Sequence, residues 1–135
     1  MLPQAAALNQ QVWKDLEEYE RDLTKSNEIY IIAGGQGSVE RIAGGKVNVP
    51  SVCWKILVVL PRGSNDLTRI SSSTRVIAVS MPNRDRQEIA DSRWAQWITS
   101  VEQLEKTTGY DFFSALPDNI ERVLEKQVDS GRADS

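Results

Sequence analysis

The sequence predicts an α+β fold in which helices pack on an antiparallel sheet. Apolar residues near the N-terminus recur at three- and four-residue spacing, which indicates an amphipathic helix. Short apolar segments bounded by turn residues follow, and two further helical patterns come after them. Because the strands form a run between helices, an antiparallel sheet is favoured over alternating strand–helix units. A chain of 135 residues, 40% apolar and 26% charged, is typical of a single domain, here residues 1–135.

The first helix is predicted over Asn9–Lys25. The apolar residues of its expected buried face are Val12, Trp13, Leu16, Tyr19 and Leu23. The run of Glu17, Glu18 and Glu20 is interpreted as a solvated face rather than as a cluster for a hard cation. Glu17 and Arg21 stand four residues apart on one face, which is also the spacing of an ordinary surface salt bridge.

Four segments are predicted to be strands: EIYIIAGG (28–35), KVNVP (46–50), SVCWKILVVLP (51–61) and TRVIAVSMPN (74–83). The third is apolar almost throughout, which predicts a central strand covered on both faces. The glycine-rich residues 34–46 predict a hairpin or loop. A Walker phosphate loop is excluded there because Glu40 stands where its first glycine belongs and Val47 follows the Gly-Lys pair.

Two helices are expected after the sheet. A charged segment around residues 83–97 precedes these helices and is expected to lie on the surface. Its two tryptophans, Trp94 and Trp97, are expected to anchor it by packing against the rest of the domain. The first of these helices follows a capping box at Ser100 and Gln103 and is expected to stop at Gly109.

The connection YDFFSALP, residues 110–117, is expected to pack in the core. The last helix, DNIERVLEKQVD, is expected to carry a second capping box at Asp118 and Glu121. The apolar residues expected to form its buried stripe are Ile120, Val123, Leu124 and Val128. The tail, about residues 130–135, is expected to be disordered.

The residue inventory excludes several classes of site. The chain has no histidine and one cysteine, so it holds no Ser-His-Asp or Cys-His pair, no histidine-built zinc site and no Cys₄ site. Cys53 lies in an apolar run and is expected to be a buried small hydrophobe. A net charge of −3 gives no bulk attraction to nucleic acid, although a local basic groove would be compatible with it. No segment has the length of a membrane span, and the N-terminus does not have the pattern of a secretory signal.

Three polar residues of the first helix suggest a phosphodiester-cleaving site. On an ideal helix Asn9, Glu17 and Arg21 fall within an arc of about 120°, with Trp13 between them. Mg²⁺ prefers oxygen ligands and keeps several waters, which an amide and a carboxylate suit. A guanidinium suits the extra negative charge that develops on a phosphate under attack. Such a site still needs a base for the attacking water.

The stretch PQAAALNQQVWKDLEEYERDL resembles the metal-binding helix of the DNA/RNA non-specific endonucleases, the ββα-metal or His-Me finger group. The matching residues are Pro3, Gln4, Asn9, Trp13, Leu16, Glu17 and Arg21. The similarity continues in order through EIYIIAGGQGS, GKVNVPSVCWKILVVLP, TRVIAVSMPN and SVEQLEKTTGYDFFSALPDNI. The resemblance therefore covers nearly the whole chain.

The resemblance implies a role for each of these polar residues. Asn9 would be the protein ligand to Mg²⁺, or to Mn²⁺ as the alternative ion. Glu17 would hydrogen-bond the water shell of the ion, and Arg21 would stabilise charge on the phosphate, so these two are the expected catalytic residues. Trp13 would pack the helix. DNA and RNA would be bound through backbone phosphates, without strong sequence preference.

Two parts of the family pattern are absent from this sequence. The general-base histidine of a D-R-G-H motif is missing, and so is an asparagine that precedes the Pro-Gln pair. The chain is therefore expected to be the C-terminal part of a ββα-metal nuclease-like domain, incomplete on its N-terminal side. We expect it to be inactive alone and to need an upstream fragment, or to form a homo-oligomer through exposed apolar surface. A non-catalytic nucleic-acid-binding or protein-interaction module is the alternative. The family analogy implies a secreted or periplasmic protein.

Overall fold

A four-stranded antiparallel sheet forms the centre of the molecule. The computed structural model describes residues 12–36, 40–42, 47–49, 51–63, 69–83 and 92–131. The helices are α1 (Trp13–Leu23), α2 (Val101–Thr108) and α3 (Asp118–Lys126), with a 3₁₀ helix at Trp94–Trp97. The strands are β1 (Asn27–Gln36), β2 (Glu40–Ile42), β3 (Val47–Val49), β4 (Val52–Pro61), β5 (Arg75–Pro82) and β6 (Ile98–Thr99). The predicted α+β fold with an antiparallel sheet is confirmed.

The main sheet has the strand order β1-β4-β5-β6, and β2 and β3 form a separate antiparallel pair. β1 and β4 are paired along their whole length, with Asn27 opposite Pro61 and Gln36 opposite Val52. β4 is buried from Cys53 to Leu60, so the predicted central strand covered on both faces is confirmed. Among the described strands β1 is paired on one side only and so forms one edge of the sheet.

Successive residues of β4 and β5 point to opposite faces of the sheet, which produces two cores. On one face α1 and the 3₁₀ helix pack against a set that includes Leu57, Ile77 and Val79. On the other face α2 and α3 pack against a set that includes Ile56, Val58 and Val76. The sheet is therefore enclosed between helical layers, and a side chain's place in β4 decides which layer it meets.

The ends of α2 match the sequence prediction. The Oγ atom of Ser100 accepts a hydrogen bond from the backbone N–H of Gln103 at 3.1 Å. Gly109 follows the helix in the left-handed conformation, with φ of 79°. These two residues satisfy backbone groups that the helix itself leaves unpaired. Ser100 as the N-cap and Gly109 as the stop are thus confirmed, whereas the return bond of the predicted capping box, from the Gln103 side chain to the Ser100 backbone, is not formed.

The prediction for α3 was wrong in three respects: its cap, its C-terminal end and the width of its buried stripe. The helix begins at Asp118 after Pro117, and no side chain caps it, so the expected capping box is not formed. Leu124 is fully buried and Ile120 is half-buried, but Val123 and Val128 are 49% and 64% exposed. Val128 lies beyond the end of the helix at Lys126, where the backbone is extended, and Val123 is on an exposed side of the helix, so the buried stripe is narrower than predicted.

The remaining predictions have mixed outcomes. Trp94 is buried and Trp97 is half-buried, so both indoles anchor the part of the charged segment that contains them, as predicted. Residues 84–91 of that segment lie outside the described part of the chain. Phe113 and Leu116 enter the core as expected, but Tyr110 is 63% exposed. Residues 132–135 of the tail also lie outside it. No helix of the described part is long and apolar enough to cross a membrane.

Candidate functional site

Helix α1 lies on one face of the sheet through an apolar stripe that matches the prediction. The buried residues are Val12, Trp13, Leu16, Tyr19 and Leu23. The helix ends at Leu23, before the predicted end at Lys25. The backbone N–H of Thr24 donates a hydrogen bond to the backbone carbonyl of Glu20 and closes the last turn. The start expected at Asn9 lies outside the described residues.

The three polar residues predicted for the site have different outcomes. Asn9 is outside the described part of the chain. Glu17 is half-buried at the edge of the α1 stripe, and Arg21 is exposed one turn further along. Within residues 12–36 and the other described ranges, neither side chain makes an ion pair. The ordinary i,i+4 salt bridge between them is therefore not formed, and both side chains remain accessible from one side of the helix.

A buried ion pair lies directly beneath this helix. The Nζ atom of Lys55, in the middle of β4, donates a hydrogen bond to Oε1 of Glu20 at 2.8 Å. The side chains of Lys55 and Glu20 are 6% and 11% exposed. The same ammonium group lies 4.4 Å from the centre of the Trp13 ring, a cation–π distance. Lys55 thus contacts α1 at two points that are two turns apart.

The expectation that Glu20 belongs to a solvated face was wrong. The sequence did contain a signal: Glu20 follows Leu16 by four residues and Trp13 by seven, which places it on the apolar stripe. A charge on such a stripe needs a buried partner of opposite sign. Lys55, a single charge within an apolar strand, is the matching signal in β4.

Tyr19 contacts side chains that link α1 to the segment after α3. Its ring lies 4.7 Å from the Trp94 ring, and the guanidinium of Arg75 lies 5.6 Å from its centre. Arg75 donates two hydrogen bonds to the carboxylate of Asp129, at 2.7 and 2.8 Å. These bonds to Asp129 raise the pKa of Arg75 above its usual value. The segment after α3 is therefore fastened to β5 on the α1 side of the sheet.

A second polar cluster belongs to the opposite helical layer. Carboxylate oxygens of Glu105, Asp111 and Glu125 lie within 4.8 Å of one another. Oxygen donors of this kind could hold a hard divalent ion. Because α2 and α3 pack on the other face of the sheet from α1, this cluster is separate from Glu17 and Arg21. No local sequence pattern predicts this cluster, since its members are brought together only by the packing of two helices.

Partial burial and neighbouring carboxylates shift the protonation of Glu105 and Glu125. Partial burial and hydrogen bonds to Glu121 and Glu105 raise the pKa of Glu125 to about 8. Partial burial also raises the pKa of Glu105, against the effect of a hydrogen bond from the backbone N–H of Phe112. Glu125 of the cluster therefore retains a proton near neutral pH.

Comparison with known proteins relates the chain to nucleases. It is 41% identical over 131 residues to a nuclease of Nostoc sp. (strain PCC 7120), covering 96% of this chain and 47% of that protein. It is 25% identical over 132 residues to a nuclease of Serratia marcescens, covering 93% of this chain and 46% of that protein. The chain thus spans about half the length of these relatives.

The fold also has a solved counterpart. A chain in the crystal structure of the EndoG/EndoGI complex matches with a TM-score of 0.62 and 22% identity, over 87% of this chain and 49% of that chain. The sequence profile of the DNA/RNA non-specific endonucleases matches residues 1–119. With a packed helix that carries Glu17 and Arg21 on its accessible side, the chain belongs to the DNA/RNA non-specific endonuclease family.

Proposed function

We propose that this chain carries the metal-binding and charge-stabilising part of a metal-dependent endonuclease that hydrolyses DNA and RNA without strong sequence preference. The observation that carries the proposal is the arrangement on α1. Glu17 and Arg21 lie one turn apart at the accessible edge of a helix that is otherwise packed on the sheet, and neither is engaged in an ion pair within the described residues. The 41% identity to a nuclease supports phosphodiester cleavage as the reaction.

Each of the three polar residues of the first helix has its own proposed role. Asn9 supplies an amide oxygen to Mg²⁺ or Mn²⁺, and Glu17 accepts hydrogen bonds from water around the ion. A half-buried carboxylate without a cationic partner among the described residues fits that outer position. The ion supplies Lewis-acid polarisation of the phosphate when it is bound. Arg21 binds the phosphate oxygens through its guanidinium and stabilises their extra charge during cleavage.

This division leaves the attacking water without a base. The chain contains no histidine, and positioned proton transfer typically contributes about 10²–10⁴-fold to a rate. We propose that a further segment of the nuclease supplies the base, in agreement with relatives twice as long. β1 suits such a partner, because among the described strands it is paired on one side only, and its Ile31 and Ile32 are 49% and 37% exposed.

Reconstituted cleavage tests the proposal. An upstream segment with a D-R-G-H motif is mixed with the full 135-residue chain and Mg²⁺, and plasmid nicking is followed. We expect cleavage only when both pieces and the ion are present. Arg21→Ala should lower the rate on the order of 10²-fold, as the loss of one charge-stabilising donor does elsewhere.

Lys14→Ala is the matched control, because Lys14 is an exposed cation on the same helix. It should leave the rate unchanged if Arg21 acts at the phosphate and not through the general charge of α1. Equal losses in the two variants would refute the assignment of Arg21. Absence of cleavage while both pieces are folded and associated would refute the proposed function.

The second candidate is a non-catalytic interaction module. The exposed apolar residues of β1 favour it, since an open strand edge readily pairs with another chain. The EndoG chain of similar fold was solved in complex with EndoGI, so an inhibitory protein is one kind of partner to test. A chain that associates with the upstream segment or with an inhibitor, binds nucleic acid and never cleaves would support this candidate.

A further inference from the structure

We propose that Lys55 is a positioning residue for the nuclease site, because its contacts with Glu20 and Trp13 fix the rotation and axial position of α1 that present Glu17 and Arg21. The effect of Lys55 on cleavage rests on the proposed function. The effect of Lys55 on the orientation of α1 can be tested without measuring cleavage.

The location of the contacts carries the inference. Lys55 lies opposite Val79 of β5 and Ala33 of β1, in the middle of the sheet and facing α1. Trp13 and Glu20 are seven residues apart, which on a helix is about 10.5 Å along the axis. Glu17 lies between them in sequence, and Arg21 follows Glu20 directly. One strand position therefore contacts α1 on both sides of Glu17 and directly next to Arg21.

The chemistry of the contacts explains why they should set orientation. Apolar packing is non-directional, so the leucine and valine contacts of α1 tolerate small rotations and slides. A hydrogen-bonded ion pair is directional and short, here 2.8 Å. A buried ion pair contributes little net stability compared with apolar side chains of similar size, and its best-supported use is to specify one arrangement. The Glu20–Lys55 pair is therefore better explained as an orienting contact than as a source of stability.

The test separates orientation from stability. Glu20→Met/Lys55→Met replaces the pair by apolar side chains of similar length, so we expect it to fold, whereas either single variant leaves a buried charge without its partner. Spin labels are attached at Glu18→Cys and Gln103→Cys, both exposed positions, one on α1 and one on α2, in a Cys53→Ala background. The distance distribution between the labels reports the placement of α1 on the sheet.

We expect the distribution to broaden or shift in the folded double variant. The matched control is Asp22→Met/Lys25→Met, which removes an ion pair of α1 whose side chains are 69% and 78% exposed. That variant should give the parental distribution. An unchanged distribution in folded Glu20→Met/Lys55→Met would overturn the proposal.

Cleavage by the reconstituted nuclease gives the second readout. Without the labels, Glu20→Met/Lys55→Met should lower kcat on the order of 10²-fold with KM little changed, which is the loss expected from a misplacement of about 1 Å. A shifted helix with unaltered kcat would overturn the link between Lys55 and the site. If the parental pair of fragments does not cleave, the proposed function fails, while the label distances still decide whether Lys55 orients α1.

Discussion

At the scale of single residues, the charged side chains of α1 fall into two groups that composition does not separate. Glu17 and Arg21 lie at the accessible edge of the helix, and Glu20 is buried against Lys55. A buried charge without its partner is much more costly than an exposed one. Substitutions at Glu20 and Lys55 should therefore affect folding, and substitutions at Arg21 should affect cleavage without affecting folding.

Lys55→Met should destabilise the chain by about 3–5 kcal/mol, because it leaves the Glu20 carboxylate buried without its cation. Glu20→Met/Lys55→Met should recover most of that loss. Urea-induced unfolding followed by tryptophan fluorescence measures both values. Lys25→Met, at the exposed pair with Asp22, is the control and should change stability by less than about 1 kcal/mol. If Lys55→Met is as mild as the control, the pair is not buried in solution.

At the scale of elements, α2 and α3 share an apolar core, and their packing also brings three acidic side chains together. Glu105, Asp111 and Glu125 converge where the two helices and their connection come together. Because partial burial and the neighbouring carboxylates favour the neutral form of Glu125, the contact between the helices should be strongest when that carboxyl is protonated.

This arrangement gives a defined pH dependence of stability. The pKa of Glu125 is raised to about 8 in the folded chain from an ordinary value of 4.5, so the folded state binds the extra proton between these values. Its stabilising contribution is complete below about pH 4.5 and is lost as pH rises through 8. Glu125→Gln should therefore unfold at a higher temperature than the parent at pH 9, and the two should converge near pH 4.5.

Thermal unfolding across that pH range is the measurement. Glu18→Gln is the control, since Glu18 is an exposed carboxylate of α1 on the other side of the sheet. Its unfolding temperature should follow that of the parent at each pH. An alkaline gain in Glu18→Gln as large as that in Glu125→Gln would show that net charge is responsible and not the cluster.

At the scale of the whole molecule, β1 forms an edge of the main sheet among the described strands and carries exposed apolar side chains. β1 pairs with β4 on one side, and its exposed residues include Tyr30, Ile31 and Ile32. Strand edges in soluble proteins are usually blocked by charges, prolines or covering elements. We therefore expect the isolated chain to self-associate at micromolar concentration through β1.

Ile31→Lys tests this expectation, because a lysine on an edge strand discourages pairing with a second chain. Sedimentation velocity should show a larger monomer fraction for Ile31→Lys than for the parent. Val123→Lys on α3 is the control, since Val123 is exposed to the same 49% and lies away from the edge. Equal gains in the two variants, or a monomeric parent with sharp reversible unfolding, would contradict association through β1.

Local patterns in the sequence were sufficient for the main strands, for α2 and for the buried face of α1. The spacing of apolar residues identified the buried face of α1, because a helix buried on one face repeats apolar residues every three to four positions. The continuous apolar run identified the central strand, because a strand buried on both faces has few polar positions. Ser100 and Gly109 marked the ends of α2 for the same reason: capping is a local interaction.

Tertiary structure decided which charges have partners. Lys55 and Glu20 are 35 residues apart and the members of the acidic cluster come from two helices and a connection, so no local pattern joins them. The sequence by itself placed Glu17 and Arg21 on one helix and, through the family resemblance, gave them their roles. Only the packing of α1 on β4 determined that these two side chains remain accessible while Glu20 is buried, because burial depends on which surface the helix meets and not on the helix alone.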